Sequence, residues 1–265
     1  MRVSLILWDF SIQIYYFSMK VSIVTAVYNA QEYIEDCIQS VISQKNVDIE
    51  YIVIDGNSTD NTVDIINKYA SQIDVLRSEP DQGMYDALNK GIALATGDII
   101  GILNSDDLFA NTDILVHVVQ YIQSQQADAV FGNLNYVKRD DIAQITRKWI
   151  SNPFNRRDFK TGWMPAHPTL FVKKSCFEQF GGYSLDYGTA SDYELILRFL
   201  YKHQIKAVFI DKLLVNMRTG GLSNGSFRKL YLAFINDYKA IVNTGFRFPL
   251  FILFCKKIRK ITQYS

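Results

Sequence analysis

Between residues 21 and 104 the spacing of apolar residues switches repeatedly between two periods. "VSIVTAV" and "IEYIVID" are short unbroken apolar runs, as in strands buried on both faces, while "AQEYIEDCIQSVISQ" and "NTVDIINKYA" carry apolar residues at helical spacing. "IDVLRS", "MYDALNKGIALA" and "GDIIGILN" continue as strand, helix and strand. Strict alternation of this kind predicts an α/β fold: a Rossmann-like, doubly wound, mostly parallel sheet with right-handed crossovers. Asp60 stands where the second helix needs an N-cap.

From about residue 133 the alternation loosens. A hairpin-like stretch, an aromatic-rich loop around "TGWMPAHPTLF", a helix at "DYELILRFLYK" and paired strands at "IKAVFI" and "LLVNM" follow. The expected division is an N-terminal extension at 1–19, a binding platform at 20–132, an appended region of the same domain at 133–225, and C-terminal helices at 226–265. "MRVSLILWDFSIQIYYFS" is apolar, but Asp9 and Gln13 interrupt it and no small-residue cleavage site follows, so it is set aside ahead of Met19.

Composition narrows the class. The 265 residues are 48% hydrophobic, enough for a sizeable core, and 28 basic residues against 27 acids leave no overall field to attract nucleic acid. Cys37, Cys176 and Cys255 are scattered without C-x-x-C spacing, which suggests neither a disulfide framework nor a thiolate zinc site and fits a reducing cytoplasm. At the C-terminus "FRFPLFILFCKKIRKI" joins an apolar run, Phe248 to Cys255, to Lys256, Lys257, Arg259 and Lys260. A helix over that run is about 12 Å long against a hydrocarbon core of about 30 Å. Two readings stand: a final helix packed on the domain, or a peripheral anchor on the inner face of the cell membrane.

Ligands of open α/β sheets bind outside the carboxyl ends of the strands. Those ends are polar: Tyr28 and Asn29 after the first strand, Asp55 to Ser58 after the second, Asn104 to Asp107 after the fourth. Each alone is turn chemistry, but three on one edge point to a site. Adjacent Asp106 and Asp107 repel unless a cation relieves them, and Mg²⁺ or Mn²⁺ is held by one or two carboxylates plus phosphate oxygens. No phosphate-binding G-x-x-x-x-G-K-[ST] loop or G-x-G-x-x-G fingerprint occurs.

As an ordered set, "VSIVTAVYNAQEYIEDCIQSVISQ", "IEYIVIDGNSTDNT", "SEPDQGMYDALNKGIALATGDIIGILNSDD" and "SDYELILRF" resemble family 2 glycosyltransferases of the GT-A fold, over residues 20 to about 200. The resemblance implies inverting transfer of a sugar from a nucleotide diphosphate donor, a UDP-sugar, to a glycan or lipid-linked acceptor, as in bacterial surface polysaccharide synthesis. It implies Mn²⁺ or Mg²⁺ at an Asp-x-Asp-like motif. Here Asn104 takes that motif's first position, which makes Asp106 the first candidate metal ligand and Asp107 the second.

For the donor the resemblance implies Thr25, Val27 and Tyr28, Asp55 as acceptor from a uracil N–H, and Asp86, Asn89, Lys90 and Ser105. Asp86, Asn89 and Lys90 share one helical face, with Met84, Leu88 and Ile92 on another; an ordinary surface helix shows the same pattern. Arg218, in "RTGGLSNGS", is either a lid cation for the diphosphate or a strand-exit residue. An inverting displacement needs one base, and Asp192 is the candidate, in the first turn of a helix where a carboxylate is favoured. Ser191 and Glu194 read as a capping box around it. On the acceptor side Trp163 either stacks on a sugar or packs, and His167 is either functional or hydrogen-bonded structure. Two further classes compete. A sugar-1-phosphate nucleotidyltransferase should show a Gly-rich loop that "TAVYNAQ" lacks, and a silent sugar-nucleotide binder would not need Asp106, Asp107 and Asp192 together.

Overall fold

The computed structural model describes residues 19–220 and 227–261. The extension at 1–18 and most of the "RTGGLSNGS" loop lie outside the described residues. Four strands open the sheet: β1 (Lys20–Val27), β2 (Asp48–Asp55), β3 (Val75–Ser78) and β4 (Ile99–Ile102), with helices α1 (Ile34–Ile42), α2 (Thr62–Asn67) and α3 (Met84–Leu94) between them. β1 pairs in parallel with both β2 and β4, and β2 with β3, which is the expected alternation made real. Next come β5 (Leu108–Phe109), α4 (Ile114–Ser124), β6 (Ala129–Val137), β7 (Ile145–Trp149), β8 (Phe171–Lys173), α5 (Lys174–Phe180), α6 (Ser191–Ile196) and β9 (Ala207–Arg218). α7 (Phe227–Asn243) and α8 (Pro249–Ile261) close the chain. The strand order is β3-β2-β1-β4-β8-β6-β9-β5, with β7 paired to β6. β6 runs across the 132/133 boundary, so the two halves share one sheet.

Strand alternation assigns the core. Val21, Ile23 and Val27 of β1, with Tyr51 and Val53 of β2, pack against Ile34, Ile38 and Val41 of α1. Val24, with Ile52 and Ile54, points the other way, to Leu88 and Ile92 of α3. α3 lies flush on β1 because Gly91 carries no side chain; a Cβ there would collide with Val24 Cγ1. Met84 departs from the expected apolar face: at the first position of α3 it lies beyond the sheet edge and is exposed.

A buried carboxylate ties β2 to its neighbours. Glu50 accepts from Ser22 Oγ (2.5 Å), Thr96 N (2.7 Å) and Thr96 Oγ1 (2.5 Å), with Lys20 Nζ at 3.5 Å. Burial pushes its carboxyl up, but these donors and Lys20 outweigh burial and hold it at about 2, below the ordinary 4.5. A folded value below the unfolded one stabilises above about pH 4.5, and that stability is lost as pH falls through about 2. Glu50→Gln should therefore cost roughly 3 kcal/mol at pH 7 in urea unfolding, and the gap from the parent should close as pH falls through that window.

Two local expectations are corrected. The paired strands at 205–210 and 213–217 are one strand, β9, parallel to β6; the polar pair Asp211 and Lys212 marks a bulge, where the register shifts beside Asn133, and not a turn. Ser191 is no N-cap. Its hydroxyl donates to the Ser184 and Gly188 carbonyls, and Glu194 pairs with Arg198 (2.9 Å) one turn on, so no capping box forms. Asp60 sits one residue before the N-cap Asn61, yet its carboxylate does accept from Thr62 N (3.0 Å).

Candidate active site

The parallel register aligns Val27 with Asp55, and Leu103 N donates to Val24 O, so all three polar strand ends meet on one edge. Within it the side chains separate into those that reach the surface and those that build it. Tyr28 is 61% exposed. Thr25 and Val27 are not available to a ligand, because strand parity turns both into the α1 layer; Thr25 Oγ1 accepts from Tyr51 Oη at 3.3 Å. Asp55 is also buried. It accepts from Ser58 N (3.1 Å), Ser58 Oγ (2.5 Å) and Ser78 Oγ (2.6 Å), and so shapes the loop beneath the edge. Gly56 follows it, and a Cβ there would meet Asp81 Oδ2 at 2.5 Å. Asp81, which the sequence reading passed over, thus closes over Gly56 beside Tyr28.

The adjacent aspartates face opposite ways. Asp107 is fully buried: Oδ2 accepts from Asn104 Nδ2 (2.8 Å) and Oδ1 from Arg218 N (3.1 Å). Burial, and next the charge of Asp106, push its carboxyl upward. It is a strut of the loop, which corrects its place as second metal ligand. Asp106 reaches solvent and pairs with Arg139 at 3.3 Å. Ser105 beside it is half-buried.

Arg218 is corrected likewise. As the last residue of β9, whose partner β5 follows Asp107 directly, it is 4% exposed and wholly engaged: Nη1 donates to Asp106 O (2.9 Å), Nε to Arg139 O (3.2 Å) and Nη2 to the Asp36 carboxylate. The guanidinium groups of Arg218 and Arg139 both lie over the Tyr33 ring, at 4.9 and 4.2 Å. Arg218 locks the Asp106 loop; it is no lid cation. Arg139, in the solvated-looking run "VKRDD", carried no signal in the sequence.

α3 supplies the second wall. Asp86 accepts from Gln82 N (3.0 Å) and pairs with Lys90 (3.4 Å), which also reaches Glu79 (3.1 Å) and Pro80 O (2.9 Å). Asn89 grips the main chain of Tyr183 from both sides: Nδ2 donates to Tyr183 O and Oδ1 accepts from Tyr183 N, each 2.8 Å. Arg198 holds the preceding loop through the Gly181 and Gly182 carbonyls. Tyr183 is thereby fixed 5.3 Å, centroid to centroid, from Tyr85, and its hydroxyl lies 2.7 Å from His167 Nε2.

Asp192 sits within this cluster. One oxygen accepts from Tyr193 N (2.7 Å), and the carboxylate lies close enough to Tyr85 and Tyr183 for its charge to act on both. Burial and then the Asp192 charge raise both tyrosines, so their hydroxyls stay protonated as donors. Burial lowers His167, opposed by Asp192. Trp163 is elsewhere. It stacks on Phe154 (4.5 Å), donates Nε1 to Asn152 Oδ1 (3.3 Å) and is 5% exposed, so it packs and offers no sugar platform.

Metal fit follows from the donor set. Among the described residues no group of three or more His, Cys, Asp or Glu side chains converges to hold an ion. Asp106 presents its carboxylate at this edge, which suits Mg²⁺ or Mn²⁺ brought with a diphosphate and not a metal caged by protein alone. A hollow of about 740 Å³ lined by Asn46, Asp48, Asp113 and His117 lies at the opposite end of β2 and shares no residue with this edge.

A curled, mostly parallel sheet with a polar strand-end edge, and a helix carrying the Asp192 carboxylate beside it, has the GT-A glycosyltransferase architecture. The chain belongs to glycosyl transferase family 2, whose family model matches residues 22–177. It is 34% identical over 180 residues to an uncharacterized glycosyltransferase of Mycobacterium tuberculosis, covering 67% of this chain and 68% of that one. It is 29% identical over 218 residues to a PGL/p-HBAD biosynthesis glycosyltransferase of Mycobacterium bovis, covering 80% and 82%. Two solved structures share the fold: S. aureus TarS 1–349 in complex with UDP-GlcNAc (TM-score 0.67, 17% identity, 92% and 73% covered) and the Pyrobaculum calidifontis mannosyltransferase PcManGT with GDP-Man and Mn²⁺ (0.66, 19%, 93% and 71%). The chain is a glycosyltransferase enzyme.

Proposed function

We propose that this glycosyltransferase moves a sugar from a UDP-sugar to a hydroxyl of a glycan or lipid-linked saccharide, with inversion at the anomeric carbon and with Mn²⁺ or Mg²⁺. The observation that carries the reading is the convergence of polar strand ends, with the surface carboxylate of Asp106, on the edge where α3 starts, and the grip of Asn89 in α3 on Tyr183, which ties the Asp192 segment to that helix. On this reading Asp192 serves proton abstraction and Asp106 the diphosphate-bound cation.

The base of the nucleotide is assigned to Tyr28, Gly56 and Asp81, above buried Asp55, and the diphosphate to Ser105 and Asp106. Asp106, together with phosphate oxygens, would hold the cation, which would neutralise charge on the departing diphosphate. Arg139 frees Asp106 by turning from it toward the phosphates. Asp192 takes the acceptor hydroxyl's proton as that oxygen attacks C1 and the diphosphate leaves from the opposite face. Tyr85 and Tyr183 orient Asp192, and Asn89 and Arg198 act through Tyr183. On the peripheral-anchor reading of the basic C-terminus, the reaction runs at the inner face of the cell membrane.

The donor is tested by thermal shift with UDP-, GDP- and dTDP-sugars, each with and without Mn²⁺. A saturating UDP-sugar with Mn²⁺ should raise the melting temperature by about 5 °C or more. A response confined to GDP-sugars would overturn the choice of base.

A further inference from the structure

α7 and α8 form a hairpin with two working faces. Lys256 Nζ meets both Asp237 oxygens at 2.9 Å, and Lys257 lies over the Phe234 ring at 5.4 Å. Later residues of α8 meet earlier ones of α7, so the helices are antiparallel. The inner face packs on the segment that carries Asp192: Lys256 Nζ sits 3.5 Å from the Tyr193 ring centroid, Lys239 donates to Asp186 O and Asn243 to Tyr187 Oη.

The outer face is apolar and exposed. On α7, Tyr231, Ile235, Tyr238 and Val242 are spaced four, three and four residues apart, within about 60° of arc; on α8, Leu250, Phe251, Phe254 and Ile258 span about 100°. Measured from the contacts between the helices, both stripes lie about 100° to 120° round in the same rotational sense. In an antiparallel pair that offset puts them on the same side, as one surface. Leu250 and Phe254 are more than 60% exposed.

Charge identifies what covers it. Eight of the chain's 28 lysines and arginines but one of its 27 acids fall within 227–261, and that acid, Asp237, is paired with Lys256. A symmetric contact with a second copy would press two basic hairpins together. No helix among the described residues is long and apolar enough to cross a membrane. We infer that the outer face of the α7–α8 hairpin docks on a bilayer of anionic phospholipid, with its aromatic and aliphatic side chains in the headgroup boundary and Arg247 at its end and Lys257 at its edge toward lipid phosphates. Docking there holds the helix bearing Asp192 close to the lipid surface, where a lipid-linked acceptor presents its sugar. That consequence rests on the proposed transfer reaction; the docking itself does not.

The test is co-sedimentation of the full chain with phosphatidylcholine vesicles, with and without phosphatidylglycerol, alongside UDP release from donor in solution. Binding should require phosphatidylglycerol and weaken between about 0.1 M and about 0.5 M salt. Phe251→Ser with Phe254→Ser should weaken it at least about tenfold, and Arg247→Gln with Lys257→Gln about 25-fold, with melting temperature and UDP release unchanged. Indifference to phosphatidylglycerol, unchanged binding by the serine variant, or a dimer in light scattering that the serine variant dissolves would overturn the proposal. Loss of UDP release in the parent chain would instead count against the reaction.

Discussion

Asp192→Asn should lower sugar transfer at least about a hundredfold while donor affinity and melting temperature stay near those of the parent. The amide keeps the size of the carboxylate and an oxygen to accept from Tyr193 N, so the cluster around it has no reason to collapse. What it loses is the capacity to take a proton. General-base catalysis is typically about 10²- to 10⁴-fold, or roughly 3 to 5 kcal/mol of barrier, whereas a lost charge in a helix's first turn costs about 0.3 to 1 kcal/mol of stability. The two outcomes differ in kind as well as size. Transfer near the parental rate would move the base elsewhere, with His167, 2.7 Å from the Tyr183 hydroxyl, the next residue to change.

Asp106→Ala should reduce turnover by roughly a thousandfold, the scale of several kcal/mol of lost charge stabilisation. The fold should survive, because the loop is held by groups other than the Asp106 carboxylate: buried Asp107 on Asn104 and the Arg218 amide, and the Arg218 guanidinium on the Asp106 carbonyl. Alanine keeps that carbonyl. Asp107→Ala is expected to differ, since it strips a buried strut and should lower stability as well as activity.

The platform was legible because its signals are local. Buried parallel strands are unbroken apolar runs, and α1 and α3 show helical periodicity; those two patterns dictate the β1-to-β4 half. α4 was not anticipated: "ILVHVVQYIQS" has Ile114, Leu115, Val116, Val118 and Val119 all buried, which blurs the amphipathic period. β9 was divided at Asp211 and Lys212, since a bulge and a turn use the same polar residues.

The site was legible as an edge and less so as side chains. Spacing put Tyr28, Asp55 and Asp106 together, but strand parity buries Thr25 and Val27, and the β5–β9 pairing commits Arg218 to the aspartate loop. Neither is visible without the strand partners. Tyr183 and Arg139 were missed for a related reason: each acts through a partner distant in sequence, Asn89 in one case and Asp106 in the other.

Calorimetric titration of UDP into the parent chain and Asp106→Ala, each with Mn²⁺ and with chelator, tests the central claim most directly. The parent should bind UDP at least about tenfold more tightly with Mn²⁺, and the substitution should erase that gain while leaving the weaker, metal-free binding in place. An equal Mn²⁺ gain in both proteins would contradict the account, and so would UDP binding that ignores the metal in the parent.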